Sequence, residues 1–264
     1  MFRLNDVLRD NQLPPEDTVV LLHSPRERPL AALLPFLAET SPEILEAFQS
    51  VHSEQATATL RRRNYMVSFV RVYTGRLAFA GAFRTRQVVD RPVAEICADP
   101  VMRRVIDEFG ANTRLEASGA EVWPFCDFER MPVLTDYIGR IHISPPLTPT
   151  YARLADQLDA EIAELTVSSV MVASPPDWRD FMVTGPEVRT LPEPWADRLR
   201  EWRGIYMIID ETDGARYVGA AYGQENLLGR WKAHVSNHAG VTADLRPRNP
   251  INFRFSILER VSPD

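Results

Sequence analysis

Gly204-Ile205-Tyr206-Met207-Ile208-Ile209-Asp210-Glu211-Thr212-Asp213-Gly214-Ala215-Arg216-Tyr217-Val218-Gly219 reads as two short strands joined by a turn. The runs Gly204–Asp210 and Ala215–Gly219 carry the β-branched and aromatic residues, and Thr212-Asp213-Gly214 supplies the reversal. Tyr206 is followed eleven residues later by Tyr217. Antiparallel pairing of the two runs can bring both phenols to one face of a sheet. Downstream, Glu225–Val235 reads as a helix. Leu227, Leu228, Trp231 and Val235 form its apolar side and leave Arg230 and His234, one turn apart, toward the edge. A third strand follows, in which Phe253, Phe255 and Ile257 alternate with Arg254, Ser256 and Leu258 before Glu259.

The two triplets, the interval between them and the downstream Arg230/His234 pair together resemble the GIY-YIG nuclease family, with Tyr217-Val218-Gly219 as a variant of the second triplet. The resemblance covers about the last quarter of the chain. Members of that family cut phosphodiester bonds. Such a reaction needs a group to take a proton from water and positive charge for the transition state. A free phenol titrates near 10 and is a poor base unless a cation lowers that value. Arg230 could be that cation, and its guanidinium fork also matches phosphate oxygens. The resemblance implies Tyr206 as general base and Tyr217 as its hydrogen-bonding partner. By the same implication Arg230 holds the scissile phosphate, with His234 orienting it or serving the leaving group. Gly204 and Gly219 belong to the motif, and His238, in the loop after the helix, is a further candidate within reach of the phosphate.

A divalent metal, Mg²⁺ or another, is implied by the family, which binds it through a glutamate on a helix after the third strand. Ser262-Pro263-Asp264 has the cap residue and first-position proline of a helix start. The expectation is therefore a shortened chain that lacks the metal-binding glutamate. Glu259 is the nearby carboxylate, and its position gives it to the strand end.

Composition sets wider bounds. The chain has 264 residues, enough for one large domain or two small ones. A net charge of −6 argues against a protein that coats nucleic acid indiscriminately, yet a local cluster can still dominate the field of a cleft. Lys232 is the only lysine among 30 basic residues, a skew that suits a GC-rich genome as readily as phosphate recognition. Cys97 and Cys126 lack metal-type spacing and are expected to be reduced. With no secretory signal and no apolar run of membrane-spanning length, the reading is cytoplasmic.

Ahead of the motif, Asp17–His23 reads as a strand, and Leu30–Ala38, Pro42–Gln49 and Pro100–Phe109 read as helices. Tyr65–Tyr73 and Arg76–Phe83 form a hairpin through Thr74-Gly75. Its second strand has Leu77, Phe79 and Phe83 on one face and Ala78, Ala80 and Ala82 on the other, as in a small barrel or a sheet covered by helices. Tyr137–Ile143 is an expected strand and Tyr151–Leu165 an expected helix. Ser174–Trp195, with five prolines, reads as a linker or extended wrap. Trp123, Trp178 and Trp195 are packing anchors by type, and His23, His52 and His142 read as structural or surface residues in preference to ligands.

The fold class is thus α+β. A target-recognition or interaction domain spans 1–173, a proline-rich linker 174–200, and the nuclease module, an antiparallel sheet flanked by helices, 201–264. Arg61, Arg62 and Arg63 beside Tyr65, Phe69 and Tyr73 are compatible with nucleic-acid binding, as is Lys232, although solvated flanks and core aromatics explain them as well. The expected function is a metal-dependent endonuclease of restriction, defence or repair. Its partner is nucleic acid, DNA in preference to RNA, with homodimerisation left open and no membrane. The alternatives are a nucleic-acid binder without catalysis and a protein-interaction module.

Overall fold

The computed structural model describes residues 2–25, 28–72, 75–146, 151–172, 175–236 and 245–261. It divides into two compact units, Met1–Val172 and Ala173–Asp264, and is mixed α and β throughout. The first unit runs α1 (Leu4–Asp10), β1 (Thr18–His23), α2 (Arg28–Thr40), α3 (Pro42–Gln49), α4 (Glu54–Leu60), β2 (Tyr65–Arg71) and β3 (Leu77–Pro92). It continues through α5 (Val93–Ala98), α6 (Pro100–Asp107), α7 (Arg114–Ala117), β4 (Val122–Arg130), β5 (Ile141–Ile143), β6 (Ala152–Leu154), α8 (Ala155–Leu158) and β7 (Ile162–Leu165). The second unit holds β8 (Met182–Thr184), α9 (Gly185–Arg189), α10 (Glu193–Glu201), β9 (Arg203–Asp210), β10 (Arg216–Ala221), α11 (Asn226–Val235) and β11 (Phe253–Val261).

In the first unit the strands lie in the order β6-β1-β2-β3-β5-β7, with β4 pairing the far half of β3. β1 and β2 are parallel, so the chain must cross over between them, and α2, α3 and α4 make that crossover. Ser53 caps α4 by accepting from the Ala56 amide, and Asp99 caps α6 by accepting from Val101 and Met102. The expected hairpin is present as β2 and β3, but the face assignment along β3 changes partway. Ser68 pairs Gly81 while Phe69 pairs Phe79, which leaves Ala80 as the extra residue of a bulge. Past it the alternation slips by one. Ala82 therefore joins Leu77 and Phe79 in one core, and Phe83 packs with Val19, Leu21 and Met66 in another.

Three expectations are corrected by the structure. The helix expected over 151–165 is replaced by β6, the short α8 and β7. Leu154 pairs Val19 and Leu165 pairs Ile141, and these ladder bonds outweigh the helical stripe of Leu154, Leu158, Ile162 and Leu165. Of the strand expected over 137–143, only 141–143 is extended, because Thr135–Tyr137 closes a tight 3-10 turn. The stretch 174–200, read as a linker, instead supplies β8, α9 and α10 to the second unit. Three of its five prolines sit at helix starts (Pro186 in α9, Pro192 at the cap of α10 and Pro194 within its first turn), and Phe181, Val183, Val188, Ala196 and Leu199 are buried in that unit's core.

The second unit has one antiparallel sheet in the order β10-β9-β11-β8. Tyr206, Ile208 and Asp210 alternate inward along β9. Their partners are Gly219 and Tyr217 on β10 and Phe253, Phe255 and Ile257 on β11. Trp231 of α11 is fully buried, with its ring 6.3 Å from Tyr206 and 5.2 Å from Phe255. Asp210 accepts from the Thr212 amide, and Arg248 bridges Asp210 and Asp213 across the hairpin turn. Trp178 and Trp195 pack against the core of this unit, as Trp123 does in the first.

Candidate active site

Tyr206 and Gly219 face each other directly across the β9–β10 pair. A Cβ built on Gly219 would lie 2.5 Å from both Cζ and the hydroxyl oxygen of Tyr206 and 2.9 Å from Cε1 of Tyr217. The motif glycine is therefore what makes room for the two phenols. Gly204 has a different task. It pairs Arg260 beside a bulge in β11, and a Cβ there would run into the Glu259 carbonyl. The close approach of β9 to β11 depends on that missing side chain.

The Tyr206 hydroxyl lies 2.7 Å from Nε2 of His234. Ring centres are 5.8 Å apart for Tyr206 and His234, 5.5 Å for Tyr217 and His234, and 6.3 Å for the two tyrosines. Tyr206 and His234 are buried, while Tyr217 and Arg230 are partly exposed. All four expected residues thus meet in one cluster at the junction of β9, β10 and α11. Burial pushes the Tyr206 phenol up to about 12. Arg230 works against that by favouring the phenolate, and Tyr217 adds to the rise. The deprotonation expected from an adjacent cation is therefore outweighed by desolvation. His234 is driven down to about 4, first by burial and then by the Arg230 charge, so it is a neutral imidazole at pH 7. Arg230 forms no ion pair with a carboxylate among the described residues, and its Nε is buried without a hydrogen-bond partner.

The metal expectation does not fit these residues. The groups that act on Tyr206 are Arg230, Tyr217 and His234, none of them a carboxylate. Glu259 is exposed and pairs with Ile205, the residue that alternates away from Tyr206. Among the described residues no group of three or more His, Cys, Asp or Glu is placed to hold a metal ion. Lys232 is exposed on α11, and His238 lies outside the described residues, as do Tyr73, Thr74 and 262–264.

In the first unit, Arg61, Arg62 and Arg63 line a cavity of about 450 Å³ together with Arg86, Asn64, Thr85 and Gln87. Asp90 partners Arg61 and Glu129 partners Arg86, whereas Arg62 and Arg63 have no carboxylate partner among the described residues. Arg86 was not anticipated, because the expected hairpin stopped at Phe83 and the strand continues to Pro92. Tyr65 and Phe69 do not line this groove. Phe69 is a core residue against Phe79.

The buried histidine gives a signed pH dependence. Folded His234 titrates near 4 against 6.5 for an ordinary histidine, so between these values the unfolded chain binds the extra proton. Stability rises with pH across that window and is lost as pH falls through it. Acidifying from pH 7 to pH 4 should cost the second unit on the order of 2–3 kcal/mol through His234. Urea titrations at stepped pH check this, since His234→Gln should flatten the slope in that window; an unchanged slope would refute the assignment.

No family model, curated protein or solved structure matches the chain. Among the described residues no helix is long and apolar enough to cross a membrane.

Proposed function

We propose that this protein is a GIY-YIG-type endonuclease that hydrolyses phosphodiester bonds in nucleic acid, DNA in preference to RNA. In this reading the second unit cuts and the first holds the target. The observation that carries it is the meeting of Tyr206, Tyr217, Arg230 and His234, spread over 28 residues of sequence, around one phenol hydroxyl. Arg230, hydrogen-bonded to Tyr206 and without a carboxylate partner among the described residues, brings a guanidinium for the phosphate. Neutral His234 accepts the Tyr206 proton at Nε2 as the phenol oxygen takes one from the attacking water. The relay avoids a free phenolate, which the raised Tyr206 value disfavours, at the cost of a transient imidazolium, which burial and Arg230 disfavour. Because Nε2 is engaged with Tyr206, His234 serves as positioning residue and proton acceptor in preference to a leaving-group acid.

The arginine groove supports a nucleic-acid partner for a chain whose overall charge is −6, since local cations can outweigh a distant net charge. Affinity for a DNA duplex should fall steeply with salt. Arg62→Gln and Arg63→Gln should each lower the log–log salt slope by about 1, as read by fluorescence anisotropy. Slopes identical to that of the unaltered protein would remove the groove from the interface.

One observation favours a second reading, nucleic-acid binding without cutting. The Tyr206 phenol is enclosed and held above its usual range, the reverse of what a general base needs. Incubation of the protein with single- and double-stranded DNA and RNA, with and without Mg²⁺, separates the two. Strand scission lost in Tyr206→Phe supports the nuclease; salt-sensitive binding with intact strands supports the binder.

A further inference from the structure

A cavity of about 360 Å³ in the first unit shares no residue with the arginine groove. Phe48 and Tyr151 are its aromatic walls, and Ser53, Asn112, Thr113 and Arg114 its polar rim. Several separate elements supply it. Phe48 sits in the last turn of α3, Ser53 caps α4, and Thr113 and Arg114 open α7. The Asn112 amide is fixed by donating to the Phe48 carbonyl at 3.1 Å. Arg114 donates to the Val51 carbonyl at 3.1 Å and lies 5.8 Å from the Trp123 ring centre, with no carboxylate partner among the described residues.

Behind the wall is a buried polar file. The Tyr151 hydroxyl lies 3.2 Å from Nδ1 of His52, and its ring meets His23 edge-on at 5.3 Å. His23 Nε2 lies 3.0 Å from Oε1 of Gln49, which also accepts from the Ser68 hydroxyl at 2.6 Å. This file fixes Tyr151 from within. His52, between the lining residues Val51 and Ser53, keeps a buried Nε2 with no hydrogen-bond partner, as does Trp123 at its indole nitrogen. Such groups are costly to bury unless something satisfies them.

Aromatic walls favour a flat ring, and a guanidinium without a carboxylate favours a phosphate. The amide and two hydroxyls suit a base edge and a sugar, and the volume falls in the range of about 300–1,000 Å³ typical of small-molecule sites. We propose that this cavity binds a single nucleotide, with its base against Phe48 and Tyr151 and its phosphate on Arg114. The ligand is either a free mononucleotide or one nucleotide of a single strand; the chemistry is the same. This goes beyond the cutting reaction proposed for the second unit and does not depend on it.

Calorimetric titration of the whole protein with each deoxynucleoside 5′-monophosphate, and with inorganic phosphate as control, tests the assignment. Saturable binding is expected for at least one nucleotide and not for phosphate alone. Arg114→Gln should weaken it at least about tenfold. Thr113→Trp, which fills the cavity from its exposed rim without altering charge, should do the same, with its thermal unfolding unchanged. Tyr206→Phe should leave nucleotide affinity as it was, so failure of the nuclease reading and failure of this one are distinguishable. A short single strand that displaces the mononucleotide identifies the strand as the source, and one that does not identifies the free nucleotide. No saturable binding by any nucleotide, or binding indifferent to both cavity variants, overturns the proposal.

Discussion

Tyr206→Phe should reduce strand scission by at least about 10²-fold, the lower end of what a positioned proton-transfer group contributes. The substitution removes one oxygen and keeps the ring, so the packing against Trp231 at 6.3 Å survives. What is lost is the 2.7 Å contact to His234, which leaves Nε2 buried without a partner at a cost of about 1–3 kcal/mol. The variant should therefore stay folded, somewhat less stable, and still bind nucleic acid. Arg230→Ala should give a comparable loss of rate by removing the guanidinium. Arg230→Lys should recover little of it, because an ammonium cannot reproduce the two-pronged match to phosphate. Gel assays on a labelled duplex read both effects. Unaltered cutting by Tyr206→Phe would end the assignment of the phenol and leave Arg230 to be explained otherwise.

Trp231→Ala should destabilise the second unit by about 3–5 kcal/mol, as expected for truncating a large core aromatic. Trp231 is fully buried, with ring centres of Phe255 at 5.2 Å, Phe181 at 6.1 Å and Tyr206 at 6.3 Å, all within the second unit. A loss of that size is a large fraction of the stability of a small domain. Hydrogen exchange should report loss of protection in β9, β10 and β11, with β1, β2 and β3 of the first unit protected as before. Equal loss in both sets of strands would show that the two cores do not fold separately.

Much of the second unit was legible in the sequence because its signals are local. The turn Thr212-Asp213-Gly214 sets the hairpin, and the hairpin sets the register that places Tyr206 opposite Gly219. The helical spacing of Arg230 and His234 then brings both to one helix edge. Such short-range rules hold wherever the chain is free to obey them. The first unit was harder to read, since its strands find partners at long range. Leu154 is drawn to Val19, and the bulge at Ala80 reverses the faces of β3, so neither periodicity in 151–165 nor alternation in 77–83 survives unaltered.

By itself the sequence determined the α+β class, the two motif strands, the helix that follows them and the identity of the four clustered residues. Only the tertiary structure decided their chemical state. Burial raises Tyr206 and lowers His234 against what Arg230 alone would do to the phenol, because desolvation depends on everything packed around a group and not on its neighbours in the chain. It also decided that Pro186, Pro192 and Pro194 start helices of a core instead of stiffening a linker, and that Arg86 and Arg114 stand beside cavities. Proximity of that kind is set by the closing of sheets and helices over one another, and no local pattern records it.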